Sequence, residues 1–297
     1  MKILISGASG LIGTELGAHL EGVGHRVTRL VRRLAGTNEI LWNPAQGQLD
    51  PASIEGTEAV IHLSGASIGD KRWTNSYKKE ILESRTLSTS LLARTIASLN
   101  KKPEVFLSGS AIGIYGARDD TALDEASTLG DSFLADVCKQ WESAATPAIQ
   151  AGIRTVFIRT GIVLTPKGGA LKKQLPLFKV GLGGKFAGGK QWQSWITLDD
   201  EVRAIEFLLK AQISGAVNLT APNPVTNSEF TSTLARVLHR PALLSIPTFG
   251  PKLLLGGELA ESLLFTGQRV IPSMLIANGF TFSHDHLEEA LRSLLNK

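Results

Sequence analysis

The sequence is short of the residues that mark a secreted scaffold, a membrane protein or a nucleic-acid binder. A single cysteine, Cys138, excludes an intrachain disulfide framework and a multi-cysteine zinc cluster; it fits a reducing compartment and reads as a packing residue. No apolar run approaches the roughly 18 residues that span a bilayer; the uncharged stretch 211–228 is broken by polar residues and two prolines. With the first strand starting at Met1, no targeting leader is expected. The formal net charge is only +4 and the basic residues are dispersed, so a nucleic-acid partner is not expected. The histidines, His62 included, show no metal-ligating pattern, and no metal is expected. No internal repeat or low-complexity tract is present. What remains is a soluble, cytoplasmic protein with a small-molecule partner.

Two further absences concern chemistry. The second strand-like run ends in Val31-Arg32-Arg33 with no acid beside it, where a carboxylate would bind an unphosphorylated ribose. Tyrosine occurs only twice, and the residues four positions after Tyr77 and Tyr115 are Ile81 and Asp119, not lysine.

What is present begins at the N-terminus. Lys2–Ser6 reads as a buried parallel strand, 11–23 as a helix with apolar Leu11, Ile12, Leu16 and Leu20, and Val27–Val31 as the next strand. Between the first strand and the helix lies Gly7-x-x-Gly10-x-x-Gly13. Gly7 allows a sharp turn, Gly10 close approach of a diphosphate, and Gly13 close packing of helix on strand, with the helix N-terminus facing the anion. A dinucleotide is implied. Arg32 and Arg33 suit a 2′-phosphate and favour NADP; the alternative is a pair of solvated loop charges.

Strand-like and helical segments then alternate: Ala59–Leu63, 78–99, Glu104–Ser108, 133–151, Thr155–Arg159 and Ala216–Leu219. The pattern predicts an α/β fold, a Rossmann-type doubly wound parallel sheet with a smaller C-terminal substrate-side lobe. The sheet unit is assigned to 1–164 plus 195–220, and the lobe to 165–194 plus 221–297, with helices at 228–238 and 285–295. Loops 64–77 and 165–194 lie where substrate walls belong, and their Lys, Gln, Trp and Gly content suits a sugar-like or anionic ligand or a lid over cofactor alone. Lys71, Arg72 and Lys185 either meet phosphates or are solvated; Trp73, Trp192 and Trp195 read as packing. Asp199 and Asp200 read as caps of the helix after Trp195–Leu198.

The glycine turn, His62-Leu63-Ser64-Gly65-Ala66, Ser108-Gly109-Ser110-Ala111 with Tyr115-Gly116, Arg159-Thr160-Gly161 and Trp195-Ile196-Thr197-Leu198-Asp199-Asp200 follow in the order of an extended short-chain dehydrogenase/reductase. Lys71-Arg72-Trp73, Ser84-Arg85, Trp141-Glu142, Gly189-Lys190-Gln191 and Gln268-Arg269-Val270-Ile271-Pro272 resemble its atypical epimerase-like branch, labelled nucleoside-diphosphate-sugar epimerase, some of whose members carry a cell-division-inhibitor label. The resemblance implies that Gly7, Ser9, Gly10, Leu11, Ile12 and Gly13 border the diphosphate, Arg32 and Arg33 the adenosine phosphate, and Leu63, Ser64, Gly65 and Ala66 the adenosine-side ribose. Ser108, Gly109 and Ser110 are implied near the nicotinamide.

The chain departs from the wider superfamily where a tyrosine exchanges the proton and a lysine four residues later lowers its pKa. The corresponding helix has Ala135 four residues before Lys139, and Arg85 stands where many extended members have asparagine. Ser110, Tyr115, Asp136, Lys139 or a water are the candidate acid/base groups, and Lys139 reads either as a ribose contact or as an exposed helix lysine. Three functions follow: an NADP-dependent oxidoreductase or epimerase-like enzyme with an unusual proton donor, a catalytically silent NADP-binding sensor or regulator, and a protein-interaction module with a vestigial pocket.

Overall fold

Seven short strands, most of them rich in valine, isoleucine and leucine, build the central sheet: β1 (Lys2–Ser6), β2 (Arg26–Val31), β3 (Glu39–Leu41), β4 (Ala59–His62), β5 (Val105–Ala111), β6 (Arg154–Thr160) and β7 (Gly215–Leu219). The computed structural model describes residues 1–296. It places the strands in the order β7-β6-β5-β4-β1-β2-β3, all parallel. The chain reverses its direction of travel across the sheet between β1 and β4. Connections there leave to opposite faces, which opens a crevice at the strands' carboxyl ends.

The helices that position the site are α1 (Leu11–Gly22), α2 (Asn75–Ser98), α3 (Phe133–Ser143), α4 (Gly169–Lys179), α5 (Leu198–Lys210), α6 (Asn227–Leu238) and α7 (Leu287–Leu295). Strand alternation sends Ile3, Ile5, Ile61, Leu107 and Ile158 against Leu16 and Leu20 of α1 and Val202, Ile205 and Leu208 of α5. Leu4, Val60 and Phe106 point the other way, onto Leu91, Leu92 and Ile96 of α2. A separate cluster joins Leu171 and Leu175 of α4, Phe230 and Leu234 of α6, and Leu287 and Leu291 of α7 around Trp195.

Local chemistry moves several boundaries. α2 begins at Asn75 because Thr74 accepts from the Tyr77 amide. The helix expected over 133–151 is two, Phe133–Ser143 and Thr146–Gln150, with Pro147 in the first turn of the second. The cap of α5 is Thr197, whose hydroxyl accepts from the Asp200 amide, not Asp199 or Asp200. The Asp200 carboxylate, fully buried, instead accepts from the Ser283 and His284 amides at 2.8 and 3.0 Å and pairs with Arg203 at 2.6 Å. Among the described residues no helix is long and apolar enough to cross a membrane.

Candidate functional site

The turn after β1 is defined by what cannot fit in it. Gly7 has φ +72°, and a Cβ there would lie 2.6 Å from the Leu63 carbonyl carbon. A Cβ on Gly13 would lie 2.3 Å from the Gly7 oxygen, so α1 rests directly on the turn. Gly10 differs: its amide donates to Gly7 O at 3.0 Å, and a Cβ would meet only that oxygen, at 3.2 Å. The side Gly10 leaves clear is the outside of the turn, where a ligand backbone would approach. Helices α2, α3, α5 and α6 are capped by Thr74, Ser132, Thr197 and Thr226; α1, which starts at Gly10, has no side-chain cap, as is also true of α4 and α7, and of the three it alone follows the glycine turn of β1. Its first-turn amides, near exposed Ser9 and half-buried Leu11 and Ile12, are open to an anion.

The end of β4 abuts this turn. The Leu63 amide donates to Ser6 O at 3.1 Å, and the Ala66 amide donates to the Ser84 hydroxyl of α2 at 3.0 Å, which fixes Ser64 and Gly65 between them. His62 is a core residue: its ring nitrogens lie against Ser6 and Ser88. Burial, assisted by Arg85, pulls its pKa down to about 3. On the β2 side the two arginines separate. Arg33 forms a fork with both Glu39 oxygens at 2.7 and 2.6 Å, holding the Glu39 carboxyl below its ordinary range. Arg32 is exposed and has no ion pair among the described residues.

At the tip of β5, Gly109 lies under Trp141, whose Cζ2 would be 2.7 Å from a Cβ there, and the buried Ser108 hydroxyl has no partner. Ser110 donates to Glu142 at 2.7 Å. Arg159 grips the same carboxylate through Nε and Nη2 at 2.9 and 3.0 Å and donates through Nη1 to the Tyr115 hydroxyl at 2.9 Å. Burial opposes the Arg159 charge, but the Glu142 pair overrides it and holds the guanidinium protonated. Tyr115, fully buried, donates to Asn218 Oδ1 at 2.7 Å, and burial raises its pKa. The short turn Ile112–Tyr115 places the phenol, named above as a candidate acid/base group, in the interior. Lys139 pairs with Asp136 at 3.1 Å on the solvent side of α3. Cys138 of α3 packs beside Ile112 and Tyr115, and burial pushes its thiol up to about 12.

Sequence reasoning left Glu142, Asn218 and Glu201 without roles. A charged Arg159 ending a buried strand was the available signal, because such a charge needs a partner. Glu201 sits on the apolar stripe of α5 with Leu198, Val202 and Ile205, and is fully buried. It accepts from the Thr160 hydroxyl at 2.8 Å, its second oxygen has no partner, and burial pushes its pKa up to about 8.

Loops 64–77 and 165–194 meet each other. Lys173 of α4 pairs with Asp70 at 3.1 Å, Lys167 with Glu15 of α1 at 2.7 Å, and Gly168 packs on Leu11, whose Cδ1 would be 2.8 Å from a Cβ. Arg72 donates to the carbonyls of Leu253 and Leu254, and Lys78 pairs with Glu258 at 2.6 Å.

This arrangement has relatives. Residues 246–294 match a domain of unknown function, DUF1731, and residues 3–220 match the NAD dependent epimerase/dehydratase family. An epimerase family protein of Mycobacterium bovis is 43% identical over 97% of this chain and 96% of its own length, and a chloroplastic homologue from Arabidopsis thaliana is 35% identical over 99% and 87%. The human epimerase family protein SDR39U1 (isoform 2), solved with NADPH, superposes with a TM-score of 0.91 at 32% identity, covering 100% of this chain and 99% of that one. A nucleoside-diphosphate sugar epimerase from Corynebacterium glutamicum gives 0.81 at 36%, covering 99% of this chain and 58% of that one. With the crevice, the glycine turn and these matches agreeing over most of the chain, the protein belongs to the NAD dependent epimerase/dehydratase family, as an atypical short-chain dehydrogenase/reductase.

Proposed function

We propose that the chain holds NADP(H) at the carboxyl ends of β1, β4 and β5, as an epimerase-like or oxidoreductase-type protein that does not use the Tyr-x-x-x-Lys pair. The observation that carries this reading is the uncapped start of α1 behind a turn in which Gly7 and Gly13 admit no side chain. Gly7, Ser9, Gly10, Leu11, Ile12 and Gly13 would hold the diphosphate, Leu63, Ser64, Gly65 and Ala66 the adenosine-side ribose, and Ser108 and Gly109 would border the nicotinamide. When bound, the cofactor supplies hydride transfer. Of the arginine pair, Arg32 is the one free for a 2′-phosphate, since Arg33 is engaged by Glu39. The NADPH-bound human relative supports the choice of cofactor. A sugar-like or anionic substrate would meet the lobe formed by 165–194 and 221–297, whose helices share an apolar cluster with Leu164 and Trp195.

A second reading, a cofactor-binding sensor without turnover, is favoured by the state of the candidate donors. The Ser110 hydroxyl proton is committed to Glu142, leaving Ser110 acceptor capacity only; Tyr115 is sealed in; Lys139 faces Asp136. Calorimetry tests the binding claim: NADPH should bind at least about tenfold more tightly than NADH, Arg32→Ala should erase most of that gap, and Arg33→Ala should change it less. Equal affinities in the unmodified protein would refute the NADP assignment. Brisk NADPH oxidation with simple carbonyl substrates would remove the sensor reading.

A further inference from the structure

Arg85 is an interior arginine without a counter-ion. It lies on α2, half-buried, with its Cζ 3.1 Å from where a Gly65 Cβ would stand and 5.0 Å from the centre of the Trp141 ring. Trp141 in turn covers Gly109, so the guanidinium sits between the ends of β4 and β5. It makes one hydrogen bond, from Nη1 to the Ile81 carbonyl at 2.9 Å, and no ion pair among the described residues. Among the described residues Nε and Nη2 have no partner, and neither is sealed from solvent.

Its neighbours do not neutralise it. The titratable groups close enough to sense Arg85 are Tyr77, Cys138 and His62. Burial raises the phenol and the thiol and lowers the imidazole, so all three are uncharged at neutral pH. The other interior arginines are matched: Arg159 by Glu142, Arg203 by Asp200, and Arg154 by the carbonyls of Leu208, Leu209 and Ile213. A partly desolvated cation without such a partner is costly to the free protein, and the cost is recovered when an anion arrives. From Ser143 to Leu198 the chain has no Asp or Glu and eight Lys or Arg, and α4 of this stretch is tied to the β4 loop through Lys173 and Asp70.

We propose that Arg85 is an oxyanion receptor built into the crevice, its planar fork presented to a phosphate or carboxylate group at the ends of β4 and β5. The proposal rests on the dinucleotide reading of that crevice and adds an anion contact that the glycine turn does not supply. The oxyanion comes either from the cofactor or from a second, substrate-borne group.

Calorimetric titrations of NADPH into the unmodified protein, Arg85→Gln and Arg85→Lys, followed by inorganic phosphate into the NADPH-saturated forms, separate these sources. A cofactor oxyanion predicts NADPH affinity about tenfold or more weaker in Arg85→Gln, partly recovered in Arg85→Lys. A substrate oxyanion predicts NADPH affinity within about twofold in all forms, with phosphate binding that Arg85→Gln abolishes. Unchanged NADPH affinity together with absent or Arg85-independent phosphate binding overturns the proposal. The cofactor-free Arg85→Gln protein should melt no lower than the unmodified one, since an uncompensated charge is removed; a fall of more than about 5 °C would make Arg85 a structural residue and also overturn it. If the unmodified protein binds no NADPH, the cofactor reading fails, and phosphate titration of the cofactor-free protein still decides the role of Arg85.

Discussion

The glycine turn after β1 and the tip of β5 flank the same strand, β4, and are built on opposite plans. In the turn, side chains are excluded by backbone at 2.3 to 2.6 Å, and the amides of the adjoining helix end are left without a cap. At the tip of β5, Ser110, Glu142, Arg159, Tyr115 and Asn218 bond one another across two strands and a helix, and Tyr115 is closed to solvent. The difference separates groups that wait for a ligand from groups that complete each other. On the proposed reading, cofactor binding and proton exchange would rest on different strands and different chemistry.

The contrast breaks most visibly if the β5 network is not structural. Glu142→Ala leaves Arg159 buried and unpaired and removes the acceptor of Ser110, and should lower unfolding free energy by about 3–5 kcal/mol. Urea denaturation measures this; a loss below about 1 kcal/mol would mean that the network is dispensable.

Gly10→Val probes the other plan. With φ −76° and ψ 173° the position accepts an L-residue, and the one close contact is 3.2 Å from Gly7 O. The fold should survive while a branched side chain blocks the diphosphate, weakening NADPH by about 100-fold or more, near 2.7 kcal/mol. Normal binding would show that the turn is not the phosphate site.

Glu201 sharpens the comparison from the far face of the sheet. Its pKa in the fold is about 8, above the ordinary value of 4.5, because burial penalises the carboxylate. Between those values the native state holds a proton that the unfolded chain has released, so stability falls as pH rises and the loss is complete above about 8. From pH 6.5 to 8 the contribution is about 2 kcal/mol, and Glu201→Gln should remove the slope. Below pH 6.5 His62, neutral in the fold down to about 3, acts in the opposite sense and destabilises the protein as acid is added. Parallel urea midpoints for the two forms across pH 6.5–8 would contradict the buried-acid account.

The smallest effect is expected at Lys139. Its partner Asp136 is exposed, so Lys139→Ala should cost less than about 0.5 kcal/mol and change NADPH affinity by less than about threefold. A tenfold loss on calorimetry would return Lys139 to the cofactor.

The fold was legible because its signals are local: buried strand runs, apolar helix stripes and a glycine spacing that follows a strand directly. What the sequence concealed depends on distant partners. Tyr115 finds Asn218 103 residues away, and Ser110 meets Glu142 32 residues on. Arg33 is engaged because Glu39 lies on β3, a three-residue edge strand too short to announce itself. Thr197 and the aspartates after it are all good helix starters, and only the contact with Ser283 and His284 shows that Asp200 has another task.

That contact ties α5 to the C-terminal segment of the chain. As the chain leaves the ribosome, the acid at 200 emerges long before the amides of 283 and 284 that satisfy it in the fully buried state. Without those amides, closing α5 onto the sheet would bury the carboxylate with only the Arg203 guanidinium and the Thr197 hydroxyl as donors, so closure of α5 is expected to be completed when the C-terminal segment docks. Chains halted before residue 283 should accordingly be cut by protease within α5, and full-length chains should not.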